Sequence, residues 1–94
     1  ASSSLRLDLR AREARVRRGK SWRLVTALTA REFDVLVALT LAQGRPVSRE
    51  ELLGVLGTDA SPDAVDKAVG SLRRKLGASS RMLKTVRSAG YSVV

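Results

Sequence analysis

Cysteine and histidine are both absent from the 94-residue sequence. Without them there are no disulfides, thiol nucleophiles, Cys/His zinc sites, or Ser-His-Asp and Cys-His catalytic arrangements. A cysteine-free chain is compatible with a reducing compartment. Aromatics are scarce: one Phe, one Trp and one Tyr, scattered along the chain. That argues against base stacking, the usual route to single-stranded nucleic acid. The longest unbroken apolar run, Val35 to Leu39, is far too short to cross a bilayer, so no membrane partner is expected. The opening Ala1-Ser2-Ser3-Ser4-Leu5 has no basic segment leading into an apolar stretch, and no signal peptide is expected.

Negative charge is also in short supply. Nine acidic residues stand against eighteen basic ones, giving +9 and a pI near 11.5. A surplus this large on a small domain points to a polyanion as partner. It is unevenly placed: residues 1–28 hold eight basic and two acidic groups, residues 29–60 three and five, and residues 61–94 seven and two. Both ends are basic and the middle is slightly acidic. The length and a hydrophobic fraction of 44% suit one globular domain over 5–94, with residues 1–4 a loose end or an expression remnant.

The chain begins in period two. Leu5-Arg6-Leu7-Asp8-Leu9 alternates apolar and charged residues, Glu13-Ala14-Arg15-Val16-Arg17 repeats this more weakly, and Trp22-Arg23-Leu24-Val25 is a third short run. Together they predict a small antiparallel sheet with a turn at Arg18-Gly19-Lys20. The period then becomes helical. Thr29-Ala30-Arg31-Glu32 fits a capping box, followed by Phe33, Leu36, Val37 and Leu41, with Gly44 expected at the C′ position. Pro46-Val47 is an extended connector. Ser48-Arg49-Glu50-Glu51 is a second capping box, opening a short helix with Leu52, Leu53 and Leu56 that stops at Gly57. Two helices with a short Gly/Pro connector are raw material for a helix-turn-helix.

Ser61 is expected to cap a third helix with Pro62 in its first turn, and Gly77 to end it. Val65, Val69, Leu72 and Leu76 recur as a single apolar stripe. At 100° per residue the opposite side holds Asp63, Lys67, Gly70 and Arg74, with Ser71 at its edge. Asp66 and Arg73 fall on one flank and Lys75 on the other. A slim basic face of this kind fits a DNA major groove, although exposed cations taken alone are more often ordinary solvated charges. The run Met82–Val94 reads as a β-hairpin around Ser88-Ala89-Gly90. Arg81, Lys84 and Arg87 lie close to its turn, where an arginine can enter a minor groove.

In order and spacing these residues resemble one family, the winged helix-turn-helix effector domain of OmpR/PhoB-type response regulators. The resemblance covers Leu5 to Val94. It rests on Leu28-Thr29-Ala30-Arg31-Glu32-Phe33, Gly44-Arg45-Pro46-Val47-Ser48-Arg49-Glu50-Glu51-Leu52-Leu53, Ala64-Val65-Asp66, Leu72-Arg73-Arg74-Lys75-Leu76-Gly77, Lys84-Thr85-Val86-Arg87 and Gly90-Tyr91. It implies an α+β fold: a four-stranded N-terminal antiparallel sheet, a three-helix core and a C-terminal hairpin wing.

It also implies a function, sequence-specific binding of double-stranded DNA by a cytoplasmic transcriptional regulator of a two-component system. Lys67, Gly70, Ser71 and Arg74 fall where the family reads the major groove. Arg73 matches a structural or phosphate-binding position. Arg87 matches the wing arginine, and Thr85 and Tyr91 match wing groups near the DNA backbone. Ser48 and Arg49 open a helix whose free amides suit a phosphate. RNA polymerase and a second copy of the chain on direct-repeat DNA are further implied partners.

The sequence departs from the family pattern in several places. Val55-Leu56-Gly57 lacks the usual tryptophan, the loop before the third helix is short, and Gly70 and Ser71 offer few base contacts. The implied affinity therefore leans on phosphates. Similar domains end uroporphyrinogen-III synthase-like proteins in actinobacteria, an alternative context. A general polyanion binder and a winged helix turned to protein contacts are the other readings. No enzyme, metal or cofactor is expected, since Glu32, Glu50 and Glu51 read as helix-start carboxylates and not as a catalytic pair.

Overall fold

The alternating N-terminal residues close into an antiparallel sheet of order β1-β2-β3, formed by β1 (Leu5–Asp8), β2 (Glu13–Arg18) and β3 (Ser21–Leu24). The register pairs Leu5 with Val16 and Leu7 with Ala14, so the apolar set of both strands faces inward. The computed structural model describes residues 4–57 and 59–93. The expected loose end at 1–4 lies outside the described residues except for Ser4, whose carbonyl accepts the Arg17 amide at 3.0 Å and so is tied to the sheet. The Asp8 carboxylate builds the first turn by accepting the amides of Arg10 and Ala11 at 3.0 and 2.9 Å.

Three strands stand in this sheet among the described residues, not the four implied by the family resemblance. The Val25 amide extends the pairing by one bond to the Ala14 carbonyl at 2.8 Å. The chain then turns through Ala27, at φ 62°, directly into the first helix. The residues between β3 and α1 are taken up by this turn and by the Thr29 cap.

Helix α1 (Ala30–Leu41) opens on a complete capping box: the Glu32 amide donates to Thr29 Oγ1 at 3.1 Å, and the Thr29 amide to Glu32 Oε1 at 2.9 Å. It ends at Ala42, one turn-residue earlier than expected, so Gln43 (φ 53°) and not Gly44 takes the C′ position. Helix α2 (Arg49–Leu56) is capped by Ser48, whose Oγ accepts the Glu51 amide at 3.0 Å. Its box is half closed, because the Glu51 carboxylate meets the Ser48 hydroxyl at 3.4 Å.

Helix α3 (Ala64–Leu76) begins two residues later than Pro62 would have it, with Asp63 and not Ser61 at the N-cap. Ser61 instead closes a turn: its carbonyl accepts the Ala64 amide at 2.9 Å, and its hydroxyl donates to Asp63 at 2.5 Å. Val65, Val69, Leu72 and Leu76 are all buried, as their spacing requires. A 3-10 turn over Gly77–Met82 then leads into the hairpin of β4 (Leu83–Val86) and β5 (Gly90–Val93). Met82 thus precedes the wing, and Val94 lies outside the described residues.

One apolar cluster joins these parts, running from Leu5, Ala14 and Val16 through Leu36, Leu39, Leu52, Leu72 and Leu76 to Leu83 and Val93. The α1–α2 connector also acts as a strand. Val47 donates to the Tyr91 carbonyl at 2.7 Å, and the Tyr91 amide returns a bond to Val47 at 3.0 Å. This close approach needs Gly90. Its φ is 128°, and a Cβ there would stand 2.0 Å from the Val47 carbonyl oxygen.

Candidate nucleic-acid interface

With the stripe of α3 buried, the opposite side of the helix is left to solvent. Lys67 and Arg74 are exposed, and Gly70 lies between them along the same side. A Cβ at Gly70 would meet nothing within 4 Å, so the middle of this face is open space. The two cations differ. Lys67 is held by Asp63 at 3.0 Å, one helical turn back; the Ser61 hydroxyl first, then Lys67, keeps the Asp63 carboxyl below its ordinary value. Arg74 has no carboxylate partner among the described residues.

Ser71 is half-buried at the edge of this face. It joins Lys75 and Thr29 around Glu32, whose carboxylate accepts from Lys75 Nζ at 2.6 Å. Burial pushes the Glu32 carboxyl up, but Lys75, Ser71 and the Thr29 amide outweigh it and hold the group below its ordinary 4.5. Lys75 also donates to the Ala27 carbonyl at 2.7 Å. This cluster bolts α1 to α3. The sequence offered Glu32 only as a capping carboxylate and Lys75 only as a cation on one flank of the third helix.

The wing presents its own cations. Lys84 and Arg87 are exposed and unpaired among the described residues, with Arg87 in the turn that precedes β5. That turn is tight: the Ala89 amide bonds the Val86 carbonyl at 3.0 Å, and Ser88 sits at φ 63°.

Four of the ten expected contacts are engaged in a network that joins α2, α3 and the wing. Tyr91 is only 4% exposed. Its hydroxyl donates to Asp66 and accepts from Arg49 at 3.3 Å. Arg49 also donates to Asp66 at 2.9 Å. Arg73 donates to the Leu83 carbonyl at 3.1 Å and to Thr85 Oγ1 at 2.8 Å. The guanidiniums of Arg49 and Arg73 lie 5.2 and 5.8 Å from the Tyr91 ring centroid, within cation–π range. Burial first, then Asp66, raises the Tyr91 pKa, while the Tyr91 hydroxyl first, then Arg49, lowers that of Asp66.

Tyr91 and Arg73 therefore hold the wing to the helix, which for Arg73 is the structural one of its two expected roles. Thr85 is exposed but already accepts from Arg73. Arg49 is half-exposed at the start of α2 beside Ser48, with Asp66 as its present partner. Asp66 was not foreseen as part of any site. The signal for it was its shared flank with Arg73.

Among the described residues there is no group of three or more acidic, His or Cys residues that could hold a metal ion, and no helix is long and apolar enough to cross a membrane.

A family model described as "Transcriptional regulatory protein, C terminal" matches residues 23–93. The transcriptional regulatory protein PrrA of Mycobacterium leprae is 40% identical over 96 residues, covering 97% of this chain and 39% of that protein. The chain thus spans about two fifths of the length of such curated relatives. Among solved structures, the Klebsiella pneumoniae RstA DNA-binding domain in complex with RstA box aligns over 100% of this chain and 94% of its own, with TM-score 0.77 and 31% identity. The DNA-binding domain of Bacillus subtilis CssR covers 97% of this chain and 100% of its own, with TM-score 0.72 and 32% identity.

Proposed function

Since this chain belongs to the transcriptional regulatory protein C-terminal family, the winged helix-turn-helix effector domains of OmpR/PhoB type, we propose that it binds double-stranded DNA sequence-specifically for a transcriptional regulator. The observation that carries this reading is the outer face of α3: a slim, open surface at Gly70 flanked by Lys67 and unpaired Arg74, beside a wing tipped by Arg87. The RstA domain, 31% identical, has been solved with its box.

In this reading α3 enters the major groove, which is wide enough for one helix. Arg74 donates to base edges or phosphate, and Lys67 shares its charge between Asp63 and the duplex. Gly70 lets the helix backbone approach closely. Arg87 reaches the neighbouring minor groove, whose narrow form concentrates negative potential. Ser48 and Arg49 meet a phosphate at the start of α2. The network behind them holds helix and wing at one spacing. RNA polymerase, a second copy bound head-to-tail on direct repeats, a two-component context and a cytoplasmic location belong to the same proposal. The curated relatives favour a regulator over fusion to a uroporphyrinogen-III synthase-like protein.

The test is selection of bound duplexes from a random pool at about 150 mM salt, where exposed charges are screened beyond about 8 Å. Enrichment of a motif, as a repeat spaced near one helical turn, is the expected outcome. Retention without enrichment would mark a charge-driven binder. No retention would refute DNA binding and favour a protein partner.

A further inference from the structure

The wing is tied to α3 at two points, one on each strand. Asp66, in the first turn of α3, takes the Tyr91 hydroxyl on β5. Arg73, in the last turn, takes the Leu83 carbonyl and the Thr85 hydroxyl on β4. Asp66 and Arg73 are seven residues apart, so they share one side of the helix at a separation of about 10 Å along its axis. Thr85 and Tyr91 are cross-strand partners. Both ties therefore act on the same rung of the hairpin, and Arg87 stands two residues beyond it.

The backbone pairing of Tyr91 with Val47 fixes β5 along its own length. The two side-chain ties are polar contacts that join the hairpin to α3 itself. A hydroxyl buried with a tyrosine ring that is 4% exposed, and satisfied by a carboxylate on the recognition helix, is a directional constraint that plain apolar packing does not supply.

We propose that Asp66 and Tyr91 are positioning residues that set the angle of the wing against α3, and so determine how well the two grooves are read together. This rests on the DNA-binding reading above. Without the tie the wing remains folded but the tip that carries Arg87 is no longer held in register with the base-reading face. Specific binding loses its wing contribution, whereas charge-driven binding does not depend on register.

The test is Tyr91→Phe, which keeps the ring, its burial and the backbone pairing and changes no charge. Affinities of the 94-residue chain for its selected duplex and for random-sequence duplex are measured at one salt concentration, well below the melting temperature. The selected-to-random ratio should fall about fivefold or more, the worth of about one misread base pair, with random-duplex affinity and its salt slope unchanged. In an Arg87→Ala background the same change should have little further effect, because both remove one wing contribution. A ratio equal to wild type, even with a lowered melting temperature, would overturn the proposal and leave Tyr91 merely structural. Full additivity with Arg87→Ala would overturn it too. A wild-type chain that bound all duplexes alike would refute the DNA-reading premise, and the positioning role with it.

Discussion

Replacing Gly70 by alanine separates stability from binding. Gly70 is the seventh of the thirteen residues of α3, and an added Cβ would meet nothing within 4 Å. It occupies ordinary helical backbone, since its φ is not in the positive region. Alanine there would make no new contact and strain nothing. It would act by narrowing the unfolded ensemble and removing glycine's helix penalty, worth about 1 kcal/mol in a helix interior. For a domain of this size about 1 kcal/mol raises the melting temperature by roughly 4–8 °C. Thermal denaturation of the DNA-free chain followed by circular dichroism measures this directly. On the selected duplex the same methyl group lies between Lys67 and Arg74, where the helix backbone should approach the groove floor, so affinity should fall while stability rises. Gly54→Ala in α2 is the control: its Cβ also meets nothing within 4 Å, and it should stabilise with no loss of DNA affinity. A Gly70→Ala chain with an unchanged or lowered melting temperature would refute the openness of this face. Stabilisation with unaltered DNA affinity would move the duplex away from Gly70.

Gly90→Ala should have the opposite effect on stability. Its Cβ would sit 2.0 Å from the Val47 oxygen at φ 128°, so a loss of at least about 3 kcal/mol is expected in urea denaturation; a well-tolerated alanine would disprove the Val47–Tyr91 pairing. Glu32→Gln keeps an acceptor for the helix cap but removes the charge that meets Lys75, and should cost about 1–3 kcal/mol at neutral pH. Because the folded-state value of Glu32 lies below its ordinary 4.5, its contribution is present above that value and is lost as pH falls through the folded one. The gap between wild type and Glu32→Gln should therefore close in acid, and a gap independent of pH would assign the cost to packing. Arg74→Ala should cost about 1–3 kcal/mol on the selected duplex if it contacts bases, against an equal loss on random duplex if it contacts phosphate. Titration with both duplexes distinguishes the two.

The features legible in the sequence are those written within a few residues of one another. Thr29 and Glu32 form their cap across three residues, and Val65 to Leu76 bury as one stripe because the helix repeat returns them to one side. The alternation of Leu5, Leu7, Ala14 and Val16 likewise dictates which face of the sheet is buried, since successive side chains point to opposite sides. The same helical arithmetic put Lys67, Gly70 and Arg74 on an outer face and Asp66 beside Arg73 on a flank. Local boundaries were less legible. Ser61, Pro62 and Asp63 all favour a helix start, and only the turn closed by Ser61 selected Asp63.

Tertiary structure decided what each flank touches. Arg49 meets Tyr91 across 42 positions and Lys75 meets Glu32 across 43, and no local spacing records such pairs. They exist because the hairpin folds back along one flank of α3 while α1 crosses the other. Arg73 and Tyr91 thereby became internal ties, whereas Arg74, one position along the helix, remained free. A single residue step turns a side chain by 100°, enough to separate a group that holds the wing from one that faces the groove.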